Sequence, residues 1–400
     1  MTKRILTLSA LAMGLGAMVG VTPHAAAQQR GGAVPAPARG ARGATPATTP
    51  AAPAAAPAPA KTPYTPPKTA WGEPDLQGMW PLTHLISTNF QRDTRYGDRR
   101  FLTDQEFATA EASAQARAER YQSGAVPAAD GGGASHLTSL MSDPPNGRFP
   151  ELTATGKEMS DKMYGSYKPR KVNGADIFDS PDDFDTWDRC ITRGMPVSML
   201  TRNYNVGIRV MQSPGYVIIL LEMAHEARII PTDGRPFLDP VIKTYLGESR
   251  GHWEGNTLVV ETKNFNGKPA MTNLGVPGSP ALTPASESLH ITEWFTRTGP
   301  ETVEYKMTVE DPVVLTRPWS VEFPWQLDPA YDMYEYACHE GNTAIRNYIE
   351  TNRFERANPR PAAPAGGARG GRGGGGAAPG GPGGARGGRG GGAAVPPGGN

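Results

Sequence analysis

The sequence predicts a mainly β protein: an antiparallel meander or barrel with an α-helical N-terminal appendage. Three observations carry that expectation. Residues 203–326 hold short β-branched, apolar runs separated by tight-turn residues. Within them Val303, Tyr305, Met307 and Val309 alternate with Glu304, Lys306, Thr308 and Glu310, the period of a strand with one wet face. Residues 100–195 instead carry helix-start signals and Ala/Glu/Gln/Arg-rich stretches.

The two ends set the organisation. Lys3 and Arg4 precede an apolar stretch from Ile5 to Val21, and Ala25-Ala26-Ala27 offers small residues for cleavage, so 1–27 reads as a secretory signal peptide. Residues 28–68 are Pro/Ala-rich, and 358–400 are Gly, Ala, Pro and Arg. Neither stretch has the large apolar side chains needed to offset the entropy of ordering, so both read as disordered. Between them, 69–202 is the helical N-terminal part of the core and 203–357 the barrel or curved sheet. All 39 acidic residues fall in 69–357, against 28 of the 40 Lys and Arg, so the core is near −11 and both arms are basic. The arms lack interleaved aromatic residues for base stacking, which argues against nucleic acid and leaves them as solvated tails that could touch the acidic core, anionic lipid or cell-wall polymer, a weak envelope contact. No other stretch is apolar enough to span a bilayer, and the expected location is periplasmic or secreted.

The helices are read in order. Thr103 with Glu106 makes a capping box ahead of a helix-forming run through Tyr121. A weaker helix covers 156–165. A third is expected from Ser180, a natural N-cap followed by Pro181 and two aspartates. The strands follow: 205–212, then a long run 215–230 beyond Ser213-Pro214-Gly215, then 251–265 folded at Gly255-Asn256. The last are 288–297 and 302–311 around Thr298-Gly299-Pro300, and 319–327. Closing such a meander into a barrel would remove its bare edges.

Gly78-Met79-Trp80 resembles the Gly-x-Trp that opens lipocalin-like (calycin) barrels. That resemblance implies a Trp plugging the barrel base under an Arg from near the C-terminus, here Arg346 or Arg353. More widely, "PDLQGMW", "DRCITRGMP", "GHWEGNTLVVETKNF", "LHITEWFTR", "VEDPVVLTRPW" and "YEYACHEGN" resemble a widespread family of secreted bacterial proteins over most of 71–345. This implies export and a β-rich core and brings no catalytic residues with it.

Cys190 and Cys338 are the two cysteines, and in an exported chain they are expected as a disulfide. It would close about 150 residues and stabilise by about 4–5 kcal/mol in the chain-entropy account. His225, His290 and His339 each lie near a carboxylate in strand-like sequence. His225 would share a face with Leu221 and Met223, and His290 with Thr292 and Trp294, both placed inward. If they converge, the three histidines could ligate a divalent metal such as zinc with Glu340 or Glu226. Without metal, a histidine and a carboxylate such as His290 with Glu261 or Glu293 could serve as acid and base, and His290, His339, Glu340 and Glu293 are the catalytic candidates. A third possibility is a non-catalytic barrel whose Trp253, Trp294, Tyr334 and Tyr336 contact a small polar or sugar-like ligand. An envelope-associated structural role stays open beside these.

Overall fold

The computed structural model describes residues 64–122, 133–273 and 275–359. The expected signal peptide, most of the Pro/Ala spacer and nearly all of the Gly/Arg tail lie outside the described residues. In chain order the elements are β1 (Gly78–Met79), α1 (Asp104–Gln122), β2 (Met141–Asp143), α2 (Ala154–Asp161), β3 (Arg170–Val172) and β4 (Ala175–Ile177). There follow β5 (Ile208–Ser213), β6 (Tyr216–Leu221), β7 (Ala227–Pro231), β8 (Glu248–Glu254) and β9 (Thr257–Lys263). The chain ends with β10 (Ala270–Asn273), β11 (Leu282–Pro284), β12 (His290–Gly299), β13 (Thr302–Glu310), β14 (Trp319–Gln326) and α3 (Ala344–Ala357). None of the described helices is long and apolar enough to cross a membrane.

The protein is mainly β and its sheets are antiparallel. One sheet has four strands in the order β1-β5-β6-β7, and a larger one has six in the order β2-β14-β13-β12-β9-β8. Two small pairs, β3-β4 and β10-β11, flank them. Local chemistry explains the hairpins. Ser213 pairs with Tyr216 across Pro214 and Gly215, and Gly215 sits at φ +77°. Glu254 pairs with Thr257 across Gly255, at φ +61°, and Asn256. Both glycines adopt a conformation that L side chains resist.

The expected barrel does not close. β7 and β8 pack together but share no ladder. Residues 232–247 intervene, and Pro231, Pro236 and Pro240 remove the amide donors that continued pairing would need. Instead the sheets pack face to face. Val210, Val217 and Ile219 of the smaller sheet meet Leu258, Phe295 and Trp325 of the larger, with a residual cavity of only about 10 Å³ between them. An apolar space of that size is at most a single water wide and offers no polar partner, so the interior is filled rather than ligand-bearing. Val303, Tyr305, Met307 and Val309 are all buried, as their alternation predicts.

Trp80 is fully buried beneath the smaller sheet, and its indole N–H donates to the Leu76 carbonyl at 3.0 Å. The cation over its ring is Arg297 of β12, 5.8 Å from the ring centre, and not Arg346 or Arg353, which lie on α3. Inside the sandwich Arg228 of β7 makes a two-pronged ion pair with Glu293 of β12; one prong is 2.9 Å. Tyr305 donates to the same carboxylate at 2.8 Å, and the Ser249 and Thr262 hydroxyls accept from Arg228. Burial alone would depress the Arg228 guanidinium. The adjacent Glu293 carboxylate more than reverses this, and Arg228 stays charged.

The described residues of 69–202 are mostly irregular, with α1 and α2 as their α-helices. The capping box at α1 forms: Glu106 N–H donates to the Thr103 hydroxyl, and Thr103 N–H donates to the Glu106 carboxylate. The expected third helix is a single 3₁₀ turn, Pro181–Asp183. It starts on its capping box, but Asp185 then accepts from the amides of Trp187 and Asp188. That aspartate offers the backbone a local turn in place of a continuing helix.

Candidate functional site

The histidine constellation is dispersed. The run 215–230 is not one strand: it breaks after Leu221 into a 3₁₀ turn, Met223–His225, where Ala224 and His225 have φ of +59° and +42°. His225 is therefore exposed in a turn, and its Nδ1–H donates to the Tyr336 carbonyl at 3.1 Å. On β12 the buried face is Ile291, Glu293 and Phe295. His290, Thr292 and Trp294 thus lie on the outer, half-exposed face, opposite to expectation. His290 contacts Glu310 at 3.3 Å, and Lys306 lies over Trp294. Glu293 is consumed by Arg228 in the core. His339 and Glu340 are exposed near the start of α3. Among the described residues no three His, Cys, Asp or Glu side chains are placed to hold a metal ion. Trp253 packs half-buried on the core edge, Tyr334 is exposed, and Tyr336 is half-buried.

Tyr336 leads to a different cluster. After β14 the chain runs without regular structure from Asp328 to Asn342, as a strap laid over the β6–β7 end of the smaller sheet. Three ties secure it. Glu222, 2% exposed, accepts from the Tyr331 hydroxyl at 2.7 Å and the Tyr334 amide at 3.2 Å. His225 holds the Tyr336 carbonyl. Cys190 and Cys338 are disulfide-bonded, with Cα atoms 5.8 Å apart. This pairing is the one that cysteine count and expected compartment anticipated.

Beneath the strap lie two buried guanidiniums, Arg193 and Arg202, each 2% exposed. Arg193 is stacked on Trp187, 4.3 Å from the ring centre, and donates to Asn273 Oδ1 at 2.6 Å. A side chain at Gly275 would run into this guanidinium. Tyr204, Tyr167 and Tyr336 lie within electrostatic range of Arg193, and Tyr204 and Tyr336 are hydrogen-bonded to each other through their side chains. Arg202 donates from Nη2 to the Ser198 carbonyl at 3.0 Å, while its Nε and Nη1 have no protein acceptor. Burial, together with the neighbouring Arg193 charge, pulls Arg202 down to about 9. Burial raises Tyr204, most strongly among its causes, so the phenol stays protonated.

Two buried carboxylates lie nearby without an ion pair to either guanidinium. Glu226 accepts from the Thr192 hydroxyl, the Arg193 amide at 3.1 Å and the Ser198 hydroxyl at 2.8 Å. Glu222 is occupied by the strap, Asn205 and the Gly207 amide. At the outer edge Tyr167 donates to Asp185 at 2.6 Å, and burial beside Asp185 pushes Asp188 up to about 6.

Of this group, sequence reasoning found Tyr336, Cys190 and Cys338 and missed Arg193, Arg202, Tyr204 and Glu222. Arg193 and Arg202 bracket the run Met195–Leu200, but arginine is mostly exposed and seldom fully buried unless paired, so the string itself did not mark them. Comparison with family models, curated proteins and solved structures finds no match for this chain.

Proposed function

We propose that this chain is an exported, non-catalytic binding protein for a small polar organic ligand, taken up at the tyrosine and arginine cluster beneath the 328–342 strap. One observation carries it. Donor-rich side chains from three separate stretches — Tyr167, Arg193 with Arg202 and Tyr204, and Tyr336 — converge on one end of the smaller sheet. Aromatic walls with a few converging polar groups are the usual makeup of a small-molecule site. A catalytic reading finds less support, because His290, His339 and Glu293 lie respectively on an outer sheet face, on an exposed loop and inside a satisfied ion pair. The filled sandwich interior supports recognition at the strap over recognition in a lumen.

The test is thermal unfolding of the mature chain against sugars, sugar acids, amino acids and aromatic acids, followed by calorimetry on any hit. At least one class is expected to stabilise, and Tyr336→Ala to weaken its binding tenfold or more with the far-ultraviolet spectrum unchanged. A hit whose affinity ignores Tyr336→Ala would put the site elsewhere, and no hit in any class would remove the proposal.

A further inference from the structure

Among the described residues six arginines have a buried Nε without a protein acceptor: Arg92, Arg100, Arg193, Arg202, Arg228 and Arg297. In four of them both terminal nitrogens are engaged. Arg92 donates to the carbonyls of Pro145 and Met141, Arg100 to Glu322, Arg228 to Glu293, and Arg297 to the carbonyls of Asp75 and Pro300. Those four are structural ties. Arg202 differs: its Nη1 is also without a partner, and only Nη2 is bonded, to a single carbonyl. One N–H on Nε and two on Nη1 thus stand in the interior with nothing to donate to. Arg193 beside it has a single side-chain acceptor, the neutral Asn273 amide oxygen.

A buried charge without an ion pair is costly, and folds that keep one commonly use it. The nearby carboxylates offer no answer, because the oxygens of Glu226 and Glu222 are taken up by hydroxyl, amide and strap donors. The Tyr204 phenol stays protonated and shares a side-chain hydrogen bond with Tyr336, and Trp187 covers the face of Arg193. Paired guanidinium forks with phenol donors around them match the oxygens of a carboxylate, phosphate or sulfate group.

We propose that Arg202 and Arg193 seat the oxyanion group of the ligand, so that the site takes an organic acid or ester of a mineral acid and not a neutral sugar. This rests on the strap cluster being a ligand site at all. It adds which chemical group lies deepest there, and which residue reads it.

The probes are acetate, inorganic phosphate and sulfate, added to the mature chain against chloride at matched ionic strength, with the melting temperature as readout. At least one oxyanion is expected to raise it saturably. The order among the three separates a planar carboxylate from a tetrahedral anion. Arg202→Met is expected to weaken that response at least tenfold while leaving the anion-free melting temperature unchanged or higher, because relief of the buried, unpaired charge and of the unpartnered Nε and Nη1 offsets the one lost bond from Nη2 to the Ser198 carbonyl. If Arg202 were a structural tie like Arg228, the anion-free melting temperature would fall sharply. Equal response of wild type and Arg202→Met, or no oxyanion response in wild type, overturns the proposal. Should Arg202→Met fail to fold, Arg202→Lys keeps the charge but loses the planar fork, and unchanged anion affinity in it would overturn the proposal equally. A neutral ligand that binds at Tyr336 with no competition from any of the three anions would keep the binding site and remove the oxyanion.

Discussion

Lowering the pH from 7 to 4 titrates a histidine that the fold holds neutral. His84 lies in a 3₁₀ turn at the base of the sandwich, 8% exposed. Its Nε2–H donates to the Pro324 carbonyl at 2.9 Å, so the other nitrogen, Nδ1, is the bare one, and it is buried without a partner. Protonation would place an N–H there with no acceptor in a desolvated site. Burial therefore lowers His84 from 6.5 to about 4, against a smaller opposing effect of the Pro324 bond. The unfolded chain then binds the proton first. Stability from this residue is fully present above pH 6.5 and is lost as pH falls through the interval to about 4. At 1.36 kcal/mol per pKa unit the loss is about 3 kcal/mol. Asp188 works in the opposite direction. Its native value near 6 lies above the ordinary 3.8, so protonating it favours the fold as pH drops through the same window. The total stability curve is thus flatter than His84 alone would make it, and the difference against His84→Phe isolates the histidine. Urea unfolding of both proteins at half-unit steps from pH 7 to 4 measures it. His84→Phe loses the bond to Pro324, a constant offset of about 1 kcal/mol. On top of that offset, wild type is expected to lose about 3 kcal/mol more than the variant between pH 7 and pH 4. A difference that stays constant across the range would refute the assignment of a neutral, desolvated His84.

Other expectations follow from single features. Cys190 and Cys338 are separated by 148 residues, so Cys338→Ser should cost about 5 kcal/mol in the chain-entropy account, read as a shift in urea midpoint that dithiothreitol reproduces in wild type. No shift would mean that the strap unfolds independently of the sheets. Glu293→Gln leaves Arg228 buried without its counter-ion and should cost about 3–5 kcal/mol, whereas the triple change Arg228→Met, Glu293→Leu and Tyr305→Phe should be near neutral. Equal loss in both would show that packing, not charge, dominates there. Trp325→Ala opens the interface between the sheets and should cost about 3–5 kcal/mol by calorimetry, while Tyr334→Ala, on an exposed strap position, should stay within about 0.5 kcal/mol.

What was legible in the sequence is what local chemistry dictates. Pro214-Gly215 and Gly255-Asn256 specify hairpins because their backbone geometry belongs to two residues, and Thr103 with Glu106 caps α1 because the bonds span three. The alternation 303–309 told which face of β13 is wet. The cysteine pairing followed from there being only two. Where one short run had to be judged against distant chain, sequence alone fell short. The pattern of β12 is almost symmetric, with Glu293 on one face and His290 on the other. Only Arg228, 65 residues earlier, makes the glutamate the buried member. Barrel closure depended on whether β7 and β8 would pair across 232–247, and the prolines there become decisive only once both sheets are in place. Arg202 shows the limit most clearly. An arginine after Leu200-Thr201 is ordinary as a string of letters. Its burial, its unpartnered nitrogens and its neighbours Glu222 and Glu226 depend on segments about twenty residues away that meet it only in the folded chain. Local propensity acts over a few residues, whereas burial and charge pairing are properties of the packed whole.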